Sequence, residues 1–198
     1  MQEPIVESHP FAALLPPQAT VMMMGTFPPE QSKRAMEFHY PNFQNDMWRV
    51  FGLVFFDEKD HFRNGEEKAM DPEKIKAFLS ETGIASCPTV LKAIREKGNA
   101  SDAFLKVVEP VPLADVLEQI PDCKHIGTTG GKATEILLSL LPEKVKLPKT
   151  GETIPFVFNG RELTLTRLPS TSRAYPLSLA KKAEAYKNFF KACGLKTK

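Results

Sequence analysis

The sequence predicts an α/β fold: a three-layer α/β/α sandwich around a central, mostly parallel sheet, with a β-hairpin extension. Three observations carry that expectation. Thr20 to Gly25 is a short, continuous apolar run closed by glycine, the pattern of a parallel strand buried on both faces. Lys124 to Thr129 reads as an inner strand, and Gly130-Gly131 turns it into a helix bearing Ile136, Leu137, Leu140 and Leu141 that Pro142 stops. Ile154 to Phe158 and Arg161 to Leu168 flank Asn159-Gly160, the preferred type I′ hairpin turn because both residues tolerate positive φ.

The remaining elements follow from helical spacing and from punctuation. Residues 1–19 carry Pro4, Pro10, Pro16 and Pro17 and are expected to wrap the surface as an arm. Asn45-Asp46 opens a helix whose Met47, Trp48, Phe51, Val54 and Phe55 form one bulky apolar face. Asp71-Pro72 starts a second, with Ile75, Phe78 and Leu79 inward and Gly83 as its stop. Pro88 to Lys97 is expected to be helical, with Val90, Leu91 and Ile94 inward and Gly98 ending it. Pro112 opens another helix through Leu113, Val116, Leu117 and Ile120. The final helix turns Leu179, Ala183, Tyr186, Phe190 and Cys193 inward and Lys181, Lys182, Lys187 and Lys191 largely outward.

Composition narrows the function classes. A chain of 198 residues without repeats or low-complexity linkers fits a single domain over residues 1–198. At a net charge of +2, neither a polybasic tail nor an acidic solvating segment dominates the chain. Proline is the unusual entry, at 17 residues, and it punctuates loops. No apolar run approaches the roughly 20 residues a membrane span needs, and the N-terminus lacks the basic flank and apolar stretch of a signal peptide. Cys87, Cys123 and Cys193 are odd in number and widely spaced, which argues against a zinc ribbon, a dithiol redox site or a cysteine-held cluster. His9, His39, His61 and His125 include no pair at helical ligand spacing, so no metal site is expected. A reducing, cytoplasmic setting and a monomer are the corresponding expectations.

In open parallel sheets, ligands sit at the carboxyl ends of the strands. Two segments qualify best. Gly25, Thr26, Phe27, Pro28 and Pro29 form a rigid strand exit that lets a ligand approach main-chain amides; Phe38, Tyr40, Asn42, Phe43, Asn45 and Trp48 follow it. Aromatic planes, amides and a helix start suit a planar, polar heterocycle, although Asn45 serves equally as a plain helix cap. Pro169, Ser170, Thr171, Ser172 and Arg173 place hydroxyls, main-chain N–H groups and a cation at another strand end, as a phosphate requires, although a serine-rich turn accounts for the same residues. Ser170 is a weak acyl-transfer nucleophile, lacking both a Gly-x-Ser-x-Gly elbow and an evident triad histidine. A third turn, Thr128-Thr-Gly-Gly-Lys132, lacks phosphate-loop spacing and caps the next helix, with its amides available to an anion.

Taken together, Gly25-Thr-Phe-Pro-Pro, Phe38-His-Tyr-Pro-Asn-Phe-Gln-Asn-Asp-Met-Trp48 and Leu168-Pro-Ser-Thr-Ser172 resemble the uracil-DNA glycosylase superfamily, most closely its hypoxanthine-DNA glycosylase branch, related to the mismatch-type enzymes. The resemblance spans most of the chain. It implies a four-stranded, mostly parallel sheet and hydrolytic removal of a deaminated base, uracil or hypoxanthine, from DNA without metal or organic cofactor. It implies base contacts from Gly25, Thr26, Phe27 and Tyr40, with Tyr40 stacking on the flipped base. Pro169, Ser170, Thr171 and Ser172 would form the minor-groove loop and Arg173 the wedge; separately from the resemblance, the charge of Lys132 makes it a candidate DNA contact if it shares a face with these loops. Phe27 replaces the Asp or Asn that handles water in the main uracil branches, and Leu168 replaces their His or Asn. Asn45 matches the asparagine that acts instead in the hypoxanthine-type branch. An N-glycosidase for free nucleosides or nucleotides, and a lesion-binding protein without catalysis, are the alternative readings.

Overall fold

The computed structural model describes residues 2–96 and 104–198. Its central sheet has five strands: β2 (Val21–Met24), β3 (Ile84–Ser86), β6 (His125–Thr129), β7 (Thr153–Phe158) and β8 (Arg161–Leu168), in the order β3-β2-β6-β8-β7. The first four strands in that order run parallel, and β7 joins as an antiparallel edge. The hairpin of the sequence analysis is therefore the sheet's border. Asn159 and Gly160 at its tip have φ of 48° and 77°, as a type I′ turn demands.

β2 explains the layering. Its four residues are all buried and alternate between two cores. Val21 and Met23 face α1 (Met47–Phe56), α2 (Pro72–Thr82) and α5 (Leu179–Ala192), where Phe51 lies among the rings of Trp48, Phe55, Phe78 and Phe190. Met22 and Met24 face α3 (Leu113–Gln119) and α4 (Gly131–Ser139). The helix starts also follow their sequence signals. Asp71 accepts from the N–H groups of Glu73 and Lys74, and Gly83 ends α2 at φ 76°.

Two expectations need correction. The segment expected as a helix over Pro88–Lys97 is strand β4 (Val90–Arg95); Lys97 and Gly98 lie outside the described residues. Thr89 is held extended because both its N–H and its hydroxyl donate to the Gly25 carbonyl, each at 2.8 Å. β4 then pairs antiparallel with β5 (Leu105–Pro110) and with β1 (Glu7–Ser8), and Lys92 meets Glu109 across the ladder at 3.0 Å. Non-local pairing overrides a local helical pattern only six residues long. The resulting small sheet clamps the N-terminal arm: Arg95 joins Glu7 at 2.8 Å and also donates to the Pro28 carbonyl.

The second correction is Lys182. It was expected on the outer face of α5 but is 1% exposed. Its ammonium meets Asp46 Oδ2 at 3.1 Å and donates to the Ser172 carbonyl at 2.9 Å. Asp46 is the N-cap residue of α1; its N–H donates to the Thr171 carbonyl, and its carboxylate also faces Arg173 at 3.4 Å and Arg49 at 3.9 Å. One carboxylate thus joins α1, α5 and the loop after β8.

Removing one partner of a buried ion pair strands the other charge. Lys182→Met is expected to cost about 3 kcal/mol, the lower end of such losses, because Arg49 and Arg173 still face Asp46. Urea unfolding measures this, and a change below about 0.5 kcal/mol would show the pair to be idle.

Candidate active site

Chain order reverses between β2 and β6, since β2 is followed by a neighbour on one side and later by β6 on the other. Such a switch point leaves a crevice beyond the strand ends. Here it is a cleft of about 700 Å³, walled by the Gly25–Pro29 loop, the Tyr40–Asn45 segment and the Ser170–Pro176 turn. Of the residues singled out in the sequence, Gly25, Thr26, Phe27, Tyr40, Asn45, Ser170, Thr171, Ser172 and Arg173 all line it. Pro169 and Lys132 do not. Pro169 uses its carbonyl to accept from the buried Tyr186 hydroxyl at 2.8 Å, and Lys132 sits in the first turn of α4.

Tyr40 crosses the strand ends. Its hydroxyl lies 2.9 Å from Thr129 Oγ1, and its φ of 55° is left-handed, a conformation that costs a non-glycine residue about 1 kcal/mol. The same hydroxyl explains Gly25, where a Cβ would stand only 2.5 Å from it. Glycine is the one residue that lets the ring lie against the strand exit.

Asn45 is fixed from one side. Its Oδ1 accepts the Met47 N–H at 2.9 Å, so it supports the start of α1 although Asp46 holds the N-cap position itself. Its Nδ2 has no hydrogen-bond partner among the described residues. The amide therefore offers both Nδ2 protons and one remaining Oδ1 lone pair. Ser170 and Ser172 each accept an N–H two residues ahead, at 3.2 Å, and shape the turn rather than supply a nucleophile. Leu168 is 2% exposed and packs into the core with Phe189, so no side chain from that position reaches the cleft.

Two histidines without an expected role at the site also line the cleft: His9, and His39 of the Phe38–Trp48 motif. His39 sits 2.7 Å from Ser86 Oγ, stacks on Phe38 and is pushed down to a pKa of about 4, chiefly by burial. His9 accepts the Phe11 N–H at Nδ1 (3.1 Å) and is pushed down to about 3 by burial and by His39. Both are neutral at pH 7. The only local signal at His9 was His-Pro-Phe, which carries no spacing rule.

The electrostatics are one-sided. No carboxylate lines the cleft among the described residues, and burial pushes the Cys87 thiol up to about 12, so it stays protonated. Arg34 and Arg95 hold the carbonyls of Pro29 and Pro28 from behind, and Arg173 stands at the rim with its side chain 55% exposed. The cleft has aromatic faces, fixed amide and imidazole groups, and cations around its edge. It suits a planar, polar, uncharged ring attached to an anionic chain.

A lowered histidine pKa gives a signed prediction. The unfolded chain binds more protons than the fold from about pH 6.5 down to about 3–4, so the histidine contribution is full above that window and is lost as the pH falls through it. His39→Gln should flatten the dependence of melting temperature on pH between 6.5 and 4. Parallel curves for the two proteins would contradict it.

No family model matches the sequence, and no curated protein matches it. The fold itself has a solved counterpart. The solution NMR structure of a "putative Uracil DNA glycosylase" from Methanosarcina acetivorans superposes with a TM-score of 0.64 at 20% identity, covering 96% of this chain and 99% of that one. The chain shares its mixed α/β architecture, with a mostly parallel sheet between helices, over essentially its whole length.

Proposed function

We propose that this protein is a monofunctional DNA glycosylase that hydrolyses the N-glycosidic bond of a deaminated base, uracil or hypoxanthine, in base excision repair. It would act as a cytoplasmic monomer without metal or organic cofactor. The observation that carries the proposal is the switch-point cleft, which sets Tyr40, Asn45 and the Ser170–Arg173 turn around one space. Support comes from the shared fold and from the three motifs that resemble the glycosylase superfamily.

A base stacked in a duplex hides its glycosidic bond, so the nucleotide must leave the helix to enter such a cleft. Tyr40 supplies a face for the base, and Arg173 is long enough to enter the gap that the base leaves. Bond breakage puts positive charge on the sugar and negative charge on the departing base. Fixed donors aimed at that negative charge gain strength where water is excluded. Asn45 has no useful basicity; held by Met47, it donates from Nδ2 to the water or the base and accepts from water at its free lone pair. Surrounding cations disfavour a protonated leaving group but stabilise an anionic one, and they hold the phosphates on either side.

A lesion-binding protein without catalysis is the second reading. It is favoured by Phe27, an apolar ring at the strand exit, and by Leu168, which is buried in the core and gives the cleft no polar group.

Duplexes carrying one uracil, hypoxanthine, xanthine or mismatched thymine, treated with alkali after incubation, distinguish the two readings through strand breaks at abasic sites. Asn45→Ala should keep duplex binding and lower single-turnover cleavage about a hundredfold, the scale of losing one preorganised polar group, while costing about 1 kcal/mol for the lost Met47 N–H bond at the start of α1. Asn45→Ser should restore stability without restoring rate. Full cleavage by the serine variant would remove Asn45 from the chemistry, and tight binding with no break in any duplex would favour the second reading.

A further inference from the structure

The cleft contains a polar group that the mechanism above does not use. His9 belongs to the N-terminal arm, far in sequence from the motifs, yet it is rigidly placed. Its main-chain N–H donates to the Leu91 carbonyl of β4 at 2.7 Å, and the adjoining strand β1 pairs with β4. Its ring stands edge-on to Phe27 with centroids 5.4 Å apart, and lines the cleft shared by Tyr40 and Asn45. Nδ1 accepts the Phe11 N–H at 3.1 Å and so carries no proton. Nε2 has no protein partner among the described residues.

We propose that His9 is the specificity residue of the cleft: its Nε2–H donates to the carbonyl oxygen that deamination creates on a base, and meets the amino group of the parent base donor to donor. The inference rests on the glycosylase reading above and adds to it how damaged and normal bases are told apart. Hydrolytic deamination exchanges an exocyclic NH₂, a donor, for a C=O, an acceptor, at one ring position and changes little else in shape. Apolar walls and stacking rings discriminate poorly between two such flat heterocycles. A group able only to donate discriminates well, because the wrong base leaves buried polar groups unpaired.

A histidine meets that requirement only if its tautomer is fixed. A free imidazole turns over or moves its proton, and so accepts either base. Here the Phe11 main chain holds Nδ1 as the acceptor, and burial beside His39 keeps the ring neutral with a pKa of about 3. The single proton then resides on Nε2 throughout the neutral pH range. The small sheet serves this function as well: Arg95, which joins Glu7 and the Pro28 carbonyl and lies over the Phe27 ring, braces the arm and the strand-exit loop together.

The test uses duplexes in which a 2′-fluoro nucleotide, resistant to cleavage, carries either hypoxanthine or adenine at the same position, with binding followed by fluorescence anisotropy. The wild type should prefer hypoxanthine. His9→Phe keeps the ring and removes the donor, and should narrow the preference about tenfold, as for one lost hydrogen bond of ordinary strength. His9→Gln offers both N–H and C=O and should narrow it by improving adenine binding. Nitrogen NMR of the free wild-type protein gives a readout independent of activity: Nδ1 should be unprotonated and Nε2 protonated. The opposite tautomer, or an unchanged preference in both variants, overturns the assignment. If the wild type cleaves deaminated duplexes while the variants discriminate as before, this inference alone fails; if the wild type cleaves none, the glycosylase reading fails and this inference with it.

Discussion

A buried carboxylate surrounded by three cations governs how this chain builds its cleft. Asp46 stands at the start of α1, where a negative charge is favoured by the helix dipole, and takes Lys182 from α5 and Arg173 from the turn after β8. Its main chain binds Thr171, and Lys182 also binds Ser172. The two walls of the cleft that come from distant parts of the sequence are therefore held by one group of charges. Asn45 is its immediate neighbour, so whatever fixes Asp46 also fixes the amide that faces the cleft. The excess positive charge of the group has a consequence for partners as well. With Arg49 nearby, one anion balances three cations, and the imbalance lies beside the rim.

The other wall depends on the small sheet. Strand β4 is tied to the Gly25 carbonyl through Thr89 and to Glu7–His9 of the arm through β1, so the strand-exit loop and this part of the arm are held to the same strand. That arrangement brings His9 and Phe27 edge to edge. It also separates the roles of the two walls. One carries the amide and the stacking ring. The other carries a neutral donor and an apolar ring, with the charge of Arg34 and Arg95 kept behind the main chain.

Much of this was legible in the residues. Thr20–Gly25 has the short apolar run of a doubly buried strand, and Asn-Gly between alternating arms is the preferred hairpin turn. Both cleft loops were visible because a strand end followed by glycine, proline or serine is where a parallel sheet admits ligands. The three-residue strand β3, directly behind the Gly83 stop of α2, was too short to leave a period. Strand β4 was misread because Val90, Leu91 and Ile94 satisfy helical spacing, while the partners that make it a strand lie on β1 and β5. Lys182 was misread for the same kind of reason. A lysine beside another lysine on an amphipathic helix looks solvated, and only the fold supplies Asp46. His9 lay in a segment read as a surface arm, and its tautomer is set by a main-chain contact that no side-chain pattern encodes.

The proposed chemistry requires the cleft to receive a base turned out of DNA. A crystal structure with a duplex carrying a single 2′-fluoro-deoxyinosine would show where the base goes. The hypoxanthine ring is expected within the cleft against Tyr40, with Asn45 Nδ2 within hydrogen-bond distance of the base or of a water at the sugar, and Arg173 directed into the vacated stack. A duplex bound with every base still stacked, or bound on another face with the cleft unfilled, would contradict it.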